Sequence, residues 1–207
     1  MTSPDGRGKG LAETLGRLRE RFLATSGETV AIFTGLAERL RADASDASAL
    51  ETLHRELHRT HGTAGSYGFH AASRTAAALE AVAARWAAEP ALDASRRADI
   101  VQHFAEALQR AFSGEVAGRR VLFTGVADEQ LVSLVSELVH RGFGAERVAV
   151  TALEGIMRDD SRGFVGIIAG EGVALPAIDG LAVTRLGASG DAAAVVAAVT
   201  ACCGPPP

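Results

Sequence analysis

Residues 50–69 read Leu50-Glu-Thr-Leu-His-Arg-Glu-Leu-His-Arg-Thr-His-Gly-Thr-Ala-Gly-Ser-Tyr-Gly-Phe69. Leu50, Leu53, Leu57, Thr60 and Ala64 recur at spacings of three and four, which puts them on one stripe of an α-helix. His54, His58 and His61 each follow a stripe residue by one position, about 100° further round the helix. They therefore line the rim of a packed face rather than its centre. Helical side chains lean toward the N-terminus, so the residue at i+4 ordinarily shields the one at i; for His58 that residue is Gly62. A glycine inside a helix costs roughly 0.5–1 kcal/mol relative to alanine. Gly62, Gly65 and Gly68 in one short segment thus require a reason in packing or access, the competing reading being a fraying helix end.

Upstream, Leu11, Leu15, Leu18 and Phe22 begin a helical stripe that resumes with Val30, Phe33, Leu36 and Leu40 across Gly27, as one long helix or two in succession. Ser48 and Glu51 have capping-box spacing, so the histidine helix is expected to start near Ser48 and run to about Gly65. A further helix is expected from Phe69 to about Ala88, stopped by Pro90. Asp93 or Ser95 then caps a last helix in which Ile100, Phe104, Leu108 and Phe112 repeat every four residues. Four amphipathic helices joined by short loops imply an antiparallel bundle over residues 11–113.

Periodicity changes around Ser113-Gly-Glu-Val-Ala-Gly118, which reads as a short polar linker. Beyond it, residues 119–203 read as a small α/β domain. Expected strands are Arg120–Thr124, Arg147–Thr151, Phe164–Ala169 and Leu181–Arg185; expected helices are Asp128–His140 and Asp191–Cys203. Alternation of apolar strands with helices is the mark of a parallel sheet covered on both faces. The tail Pro205-Pro-Pro207 cannot continue a helix.

The run from His58 to Phe69, with its flanks, resembles the histidine phosphotransfer (HPt) family, and most closely the N-terminal phosphotransfer domain of CheA-type chemotaxis kinases. That pattern is His, two residues, Lys-Gly, small residues, an aromatic, Gly and Phe. Here it reads His58, Arg59, Thr60, His61, Gly62, Thr63, Ala64, Gly65, Ser66, Tyr67, Gly68, Phe69. The resemblance extends over roughly residues 11–113 and implies a four-helix HPt bundle with His58 as phosphoacceptor. It implies further that Glu80, in Ala-Leu-Glu-Ala-Val, hydrogen-bonds the acceptor ring. His61 stands where the family usually has lysine. The second half is similar to a degenerate receiver domain. A receiver needs acidic residues after its first strand and a phosphoacceptor aspartate ending its third, whereas the strands here lead into Gly125-Val-Ala-Asp128-Glu129 and end in Ala169-Gly170. Asp128 and Glu129 read first as helix N-terminal acids, with a metal ion as the alternative.

The residue types suit the chemistry on their own terms. A neutral imidazole, whose unperturbed pKa is about 6.5, attacks phosphorus with one nitrogen while the other holds a proton. A carboxylate on that second nitrogen fixes the tautomer. Glu80 follows Leu79 in the stripe Ala76, Leu79, Ala83, Trp86, so it lies at the edge of its helix's core face, within reach of His58 or else as a solvated surface carboxylate. His61 carries positive charge only when protonated, which makes it a weaker phosphate contact than lysine, with Arg59 or Arg55 assisting. Gly62 and Gly65 open the surface to a partner. His54 and His58 also have the i, i+4 spacing of zinc-binding helices, but Cys202 and Cys203 are far away in sequence, so no metal is assigned. His70, His103 and His140 read as surface or half-buried side chains.

The chain has 207 residues, enough for two small cores, with 47% hydrophobic and 22% charged residues, which excludes general disorder. A net charge of −4, a pI of about 5.9 and the lack of a basic patch argue against a nucleic-acid partner. No apolar run approaches the ~20 residues of a membrane span, and the first ten residues lack the apolar core of a signal peptide. Adjacent Cys202 and Cys203 are not a disulfide framework. A cytoplasmic protein is expected, of bacterial origin from its abundant Ala, Gly and Arg. Expected partners are response-regulator receiver domains, a sensor histidine kinase, or both, and the receiver rather than this chain supplies Mg²⁺ and the aspartate. No cofactor is expected and no ATP-binding motif is visible, so an autokinase is excluded. Two alternatives stand beside a phosphorelay intermediate: a docking protein that carries no phosphate, and a dimeric phosphotransferase built on a two-helix hairpin, a reading that four helices disfavour.

Overall fold

The structure is a computed structural model that describes residues 5–113, 120–159, 163–178, 181–187 and 191–203. The sequence readings for the Ser113–Gly118 linker beyond its first residue, the first four residues and the proline tail lie outside the described residues, as do the side chains of Leu11, Leu15, Asp128, Glu129, Cys202 and Cys203.

The first half is helical throughout: α1 (Asp5–Ala42), α2 (Ala47–Ser66), α3 (His70–Ala88) and α4 (Arg97–Ser113). Gly27 does not interrupt α1, which is one helix of 38 residues. Phe33, Leu36 and Leu40 of α1 meet Leu50, Leu53 and Leu57 of α2, Leu79, Val82 and Trp86 of α3, and Ile100, Phe104 and Leu108 of α4 in one core. Residues 50, 53, 57, 60 and 64 are all buried, the stripe that their spacing implies. The cap of α2 is not Ser48. Asp46 accepts a hydrogen bond from the Ala49 backbone N–H at 2.9 Å, and Arg39 of α1 holds the same carboxylate at 2.8 Å. A carboxylate at the N-terminus, already fixed by a neighbouring helix, is the better acceptor there.

Asp93 does not cap α4 with its side chain. It sits at φ +56°, a left-handed conformation that aspartate tolerates, and its carboxylate accepts from Trp86 Nε1 at 3.1 Å and Ser136 Oγ at 2.8 Å. Arg97, fully buried, donates to the carbonyls of Ala44, Pro90 and Leu92, tying the α1–α2 and α3–α4 connections together.

In the second half β1 (Arg120–Thr124), β2 (Gly144–Arg147), β3 (Phe164–Gly170) and β4 (Ala182–Leu186) form one parallel sheet in the order β2-β1-β3-β4. Helices α5 (Asp128–His140), α6 (Leu153–Asp159) and α7 (Ala192–Cys203) complete it. Alternation along β1 sends Val121 and Phe123 to the face covered by α5 and α7, and Leu122 to the opposite face with Ile167, Leu153 and Phe164. The second strand lies earlier than the expected 147–151, and Val150–Ala152 form a 3₁₀ turn instead. Its register is set by Ala145, buried in the shared core, and by Glu146, which is 1% exposed. That carboxylate takes Arg74 of α3 at 2.7 Å and Arg120 of β1 at 2.5 Å, so pairing overrides the higher β-propensity of Val148 and Val150.

The same core runs without a break from the bundle into the sheet. Glu137 of α5 adds an ion pair with Arg96 at 2.8 Å. The α/β half is thereby docked on α3 and α4, and α3 is the helix that carries Glu80.

Candidate functional site

Helices α2 and α3 are joined by a turn at Tyr67–Phe69 in which Gly68 takes φ +79°, a conformation suited to glycine. Their close approach rests on Gly65: a Cβ added there would stand 3.0 Å from Ser73 Oγ. Ser73 donates to the His61 carbonyl at 2.8 Å, a bond that links the two helices beside the histidines. Gly65 is therefore a contact point between α2 and α3 rather than an opening to solvent.

One carboxylate spans two histidines. His58 Nδ1 lies 2.8 Å from Glu80 Oε1, and His61 Nδ1 lies 3.0 Å from Glu80 Oε2. The Glu80 side chain is 20% exposed, against 77% for His58 and 46% for His61. Burial pushes the Glu80 carboxyl upward, but the hydrogen bonds from His58 and His61 outweigh it and hold the group below its ordinary value. Glu80 is thus an anion at neutral pH and only accepts. Each Nδ1 must then carry the proton it shares, which leaves Nε2 of a neutral His58 as a free lone pair on an exposed ring.

Gly62 fits that exposure, since a Cβ added to it meets nothing within 4 Å. Arg59 is not brought to the histidines: it pairs with Glu56 at 2.6 Å and lines a groove toward α1. Arg55 is occupied by Glu51 at 3.8 Å and by the Thr52 hydroxyl at 3.2 Å. His103 and His140 stand ring to ring, with centroids 6.3 Å apart, at the α4–α5 contact, away from Glu80.

The bond from His61 to Glu80 and the bond from Ser73 to His61 escaped the sequence reading. A signal for the first was present, because His61 follows His58 by three residues and shares its face. Nothing in the sequence marks Ser73.

The site sits on two helices of a four-helix bundle, and the family model of the Hpt domain matches residues 17–140, well over half of the 207 residues. The chain belongs to the Hpt domain family. The match covers most of α1, all of α2, α3 and α4, and extends through β1 and α5. No curated protein and no solved structure matches the chain. Membership assigns this Hpt protein to histidine phosphotransfer in two-component signalling, where Hpt domains work with kinases and response regulators. No helix among the described residues is long and apolar enough to cross a membrane.

Proposed function

We propose that this Hpt protein is a phosphorelay intermediate that carries a phosphoryl group on His58 between a kinase or receiver and the aspartate of a response regulator. The observation that carries the reading is the 2.8 Å bond from His58 Nδ1 to the Glu80 carboxylate. Accepting from an aspartyl phosphate, His58 Nε2 attacks phosphorus with its lone pair. A P–N bond forms, the P–O bond to the donor breaks, and the donor leaves as a carboxylate. The ring keeps its Nδ1 proton and gains positive character, which the Glu80 anion stabilises across the hydrogen bond. Transfer onward reverses these steps on a second receiver. Glu80 is the orienting group, Gly62 leaves the approach open, and His61 steadies Glu80 while keeping its own Nε2 for a phosphate or partner contact.

The His58–Phe69 run supports a reading in which this chain is akin to the CheA-type phosphotransfer domains. We read residues 11–113 as the phosphotransfer unit and 119–203 as a degenerate receiver-like unit docked on it, in a cytoplasmic, bacterial protein. Support for the second unit comes from its strand order, which repeats the first four strands of the doubly wound order 2-1-3-4-5. At the end of β3, where a receiver carries its aspartate, stands Gly170, and a Cβ there would lie 1.9 Å from the Gly125 carbonyl oxygen. No side chain fits, so this unit serves binding rather than phosphoryl acceptance.

Label transferred from a phosphorylated receiver or kinase should be acid-labile and absent from His58→Gln. Label that persists in that variant, or that maps to His61, would overturn the assignment. A chain that binds such partners yet never takes label would be a docking protein.

A further inference from the structure

Along α1, Leu18, Phe22, Thr25, Thr29 and Ile32 recur at spacings of four, three, four and three, the repeat of a helix-pairing seam. The bundle core takes the continuation of this face of α1, with Phe33, Leu36, Ala37 and Leu40 buried, and Phe22 packs at its edge on Tyr67, Phe69 and Phe112. The seam forms one wall of a groove of about 630 Å³ whose other wall is Arg59, Thr60, Thr63 and Tyr67 of α2. Leu18 and Ile32 are each 37% exposed at its two ends. Thr60 is 4% exposed, and its Oγ1 has no hydrogen-bond partner among the described residues. A buried hydroxyl left unpaired is costly.

We infer that this groove seats α1 of a second copy of the chain, laid antiparallel about a two-fold axis that passes between Leu23 and Ala24. Charge and size both select this occupant. In that register Leu18 faces Thr29 of the second copy and Phe22 faces its Thr25, so these layers each set a large side chain against a small one, twice by symmetry. The same register brings Arg21 beside Glu28 of the second copy and Glu28 beside its Arg21. Both residues line the groove, are exposed, and form no ion pair among the described residues. A parallel alignment would instead set Arg21 against Ser26 and Glu28 against Phe33, with no opposite charge to meet. His58 and Glu80 lie on the α3 side of α2, and the groove lies on its α1 side. Pairing through the groove therefore engages neither His58 nor Glu80.

Sedimentation equilibrium on the full chain tests this pairing. A concentration-dependent dimer is expected. Glu28→Arg and Arg21→Glu should each weaken it by roughly tenfold, since two exposed ion pairs become repulsive at once. The double variant R21E/E28R should restore it, and circular dichroism of all four proteins should coincide. Phosphoryl transfer to His58 should proceed equally in dimer and E28R monomer. A monomer at every concentration, a dimer indifferent to the single swaps, or a double variant that fails to recover would overturn the inference. So would protection of the groove by a receiver while the chain stays monomeric.

Discussion

Replacing Glu80 by glutamine tests the site most directly, because the amide keeps the shape of the carboxylate and removes its charge. In the native site one anion accepts from both Nδ1 atoms, at 2.8 and 3.0 Å. A glutamine offers one accepting oxygen and one donating nitrogen, so it satisfies only one of two Nδ1–H donors. A hydrogen bond to a charged partner contributes about 1.5–3 kcal/mol and one between neutral groups about 0.5–1.5 kcal/mol. With the His58 side chain 77% exposed, solvent screens the difference to its lower end, about 1 kcal/mol. That slows phosphorylation roughly fivefold when the amide oxygen faces His58. When the amide nitrogen faces His58 instead, Nδ1 becomes the acceptor and the proton moves to Nε2, blocking the nucleophile and slowing transfer further. The assay is single-turnover transfer of label from a phosphorylated receiver, with melting temperature as the control for folding. Nitrogen chemical shifts of the imidazole report the tautomer, which a purely structural role would leave alone. Wild type should show His58 protonated at Nδ1 and Glu80→Gln a mixture. An unchanged rate with an unchanged tautomer would refute the role given to Glu80.

Gly62→Leu should raise the melting temperature slightly, since leucine is a better helix former by roughly 0.5–1 kcal/mol, while transfer slows because the side chain projects into the open space beside His58. Transfer at the native rate would remove access as the reason for the glycine. Acid should loosen the protein through Glu80, Asp93 and Glu137: burial raises all three carboxyls, but their hydrogen bonds from histidine, arginine, serine or tryptophan lower them further. A carboxyl depressed in the folded state stabilises it fully above its unfolded value and loses that contribution as pH falls through the folded one. The urea midpoint should therefore stay level down to about pH 5, then fall below the ordinary values of 4.5 for glutamate and 3.8 for aspartate. A midpoint unchanged at about pH 3 would show that these carboxylates add nothing to stability.

Helical periodicity is local, so the four bundle helices could be read from the chain alone, although Leu18 of the α1 stripe stands exposed; so could Arg120–Thr124 and Asp128–His140, whose bounds coincide with β1 and α5. The run from His58 to Phe69 likewise singled out one histidine, because the glycines around it have no use in an ordinary helix. What the sequence could not decide were the features set by partners distant in the chain. Asp46 rather than Ser48 caps α2 because Arg39 already holds its carboxylate, and β2 begins at Gly144 because Arg74 and Arg120 converge on Glu146. Asp93 serves Trp86 and Ser136 instead of the helix that follows it. At the site, sequence placed His58 and Glu80 on the edges of adjacent helices, but only the close approach allowed by Gly65 lets one carboxylate span His58 and His61. Secondary structure follows from spacing along the chain, whereas caps, registers and shared carboxylates depend on which charges meet across it, and that is fixed only when the helices pack.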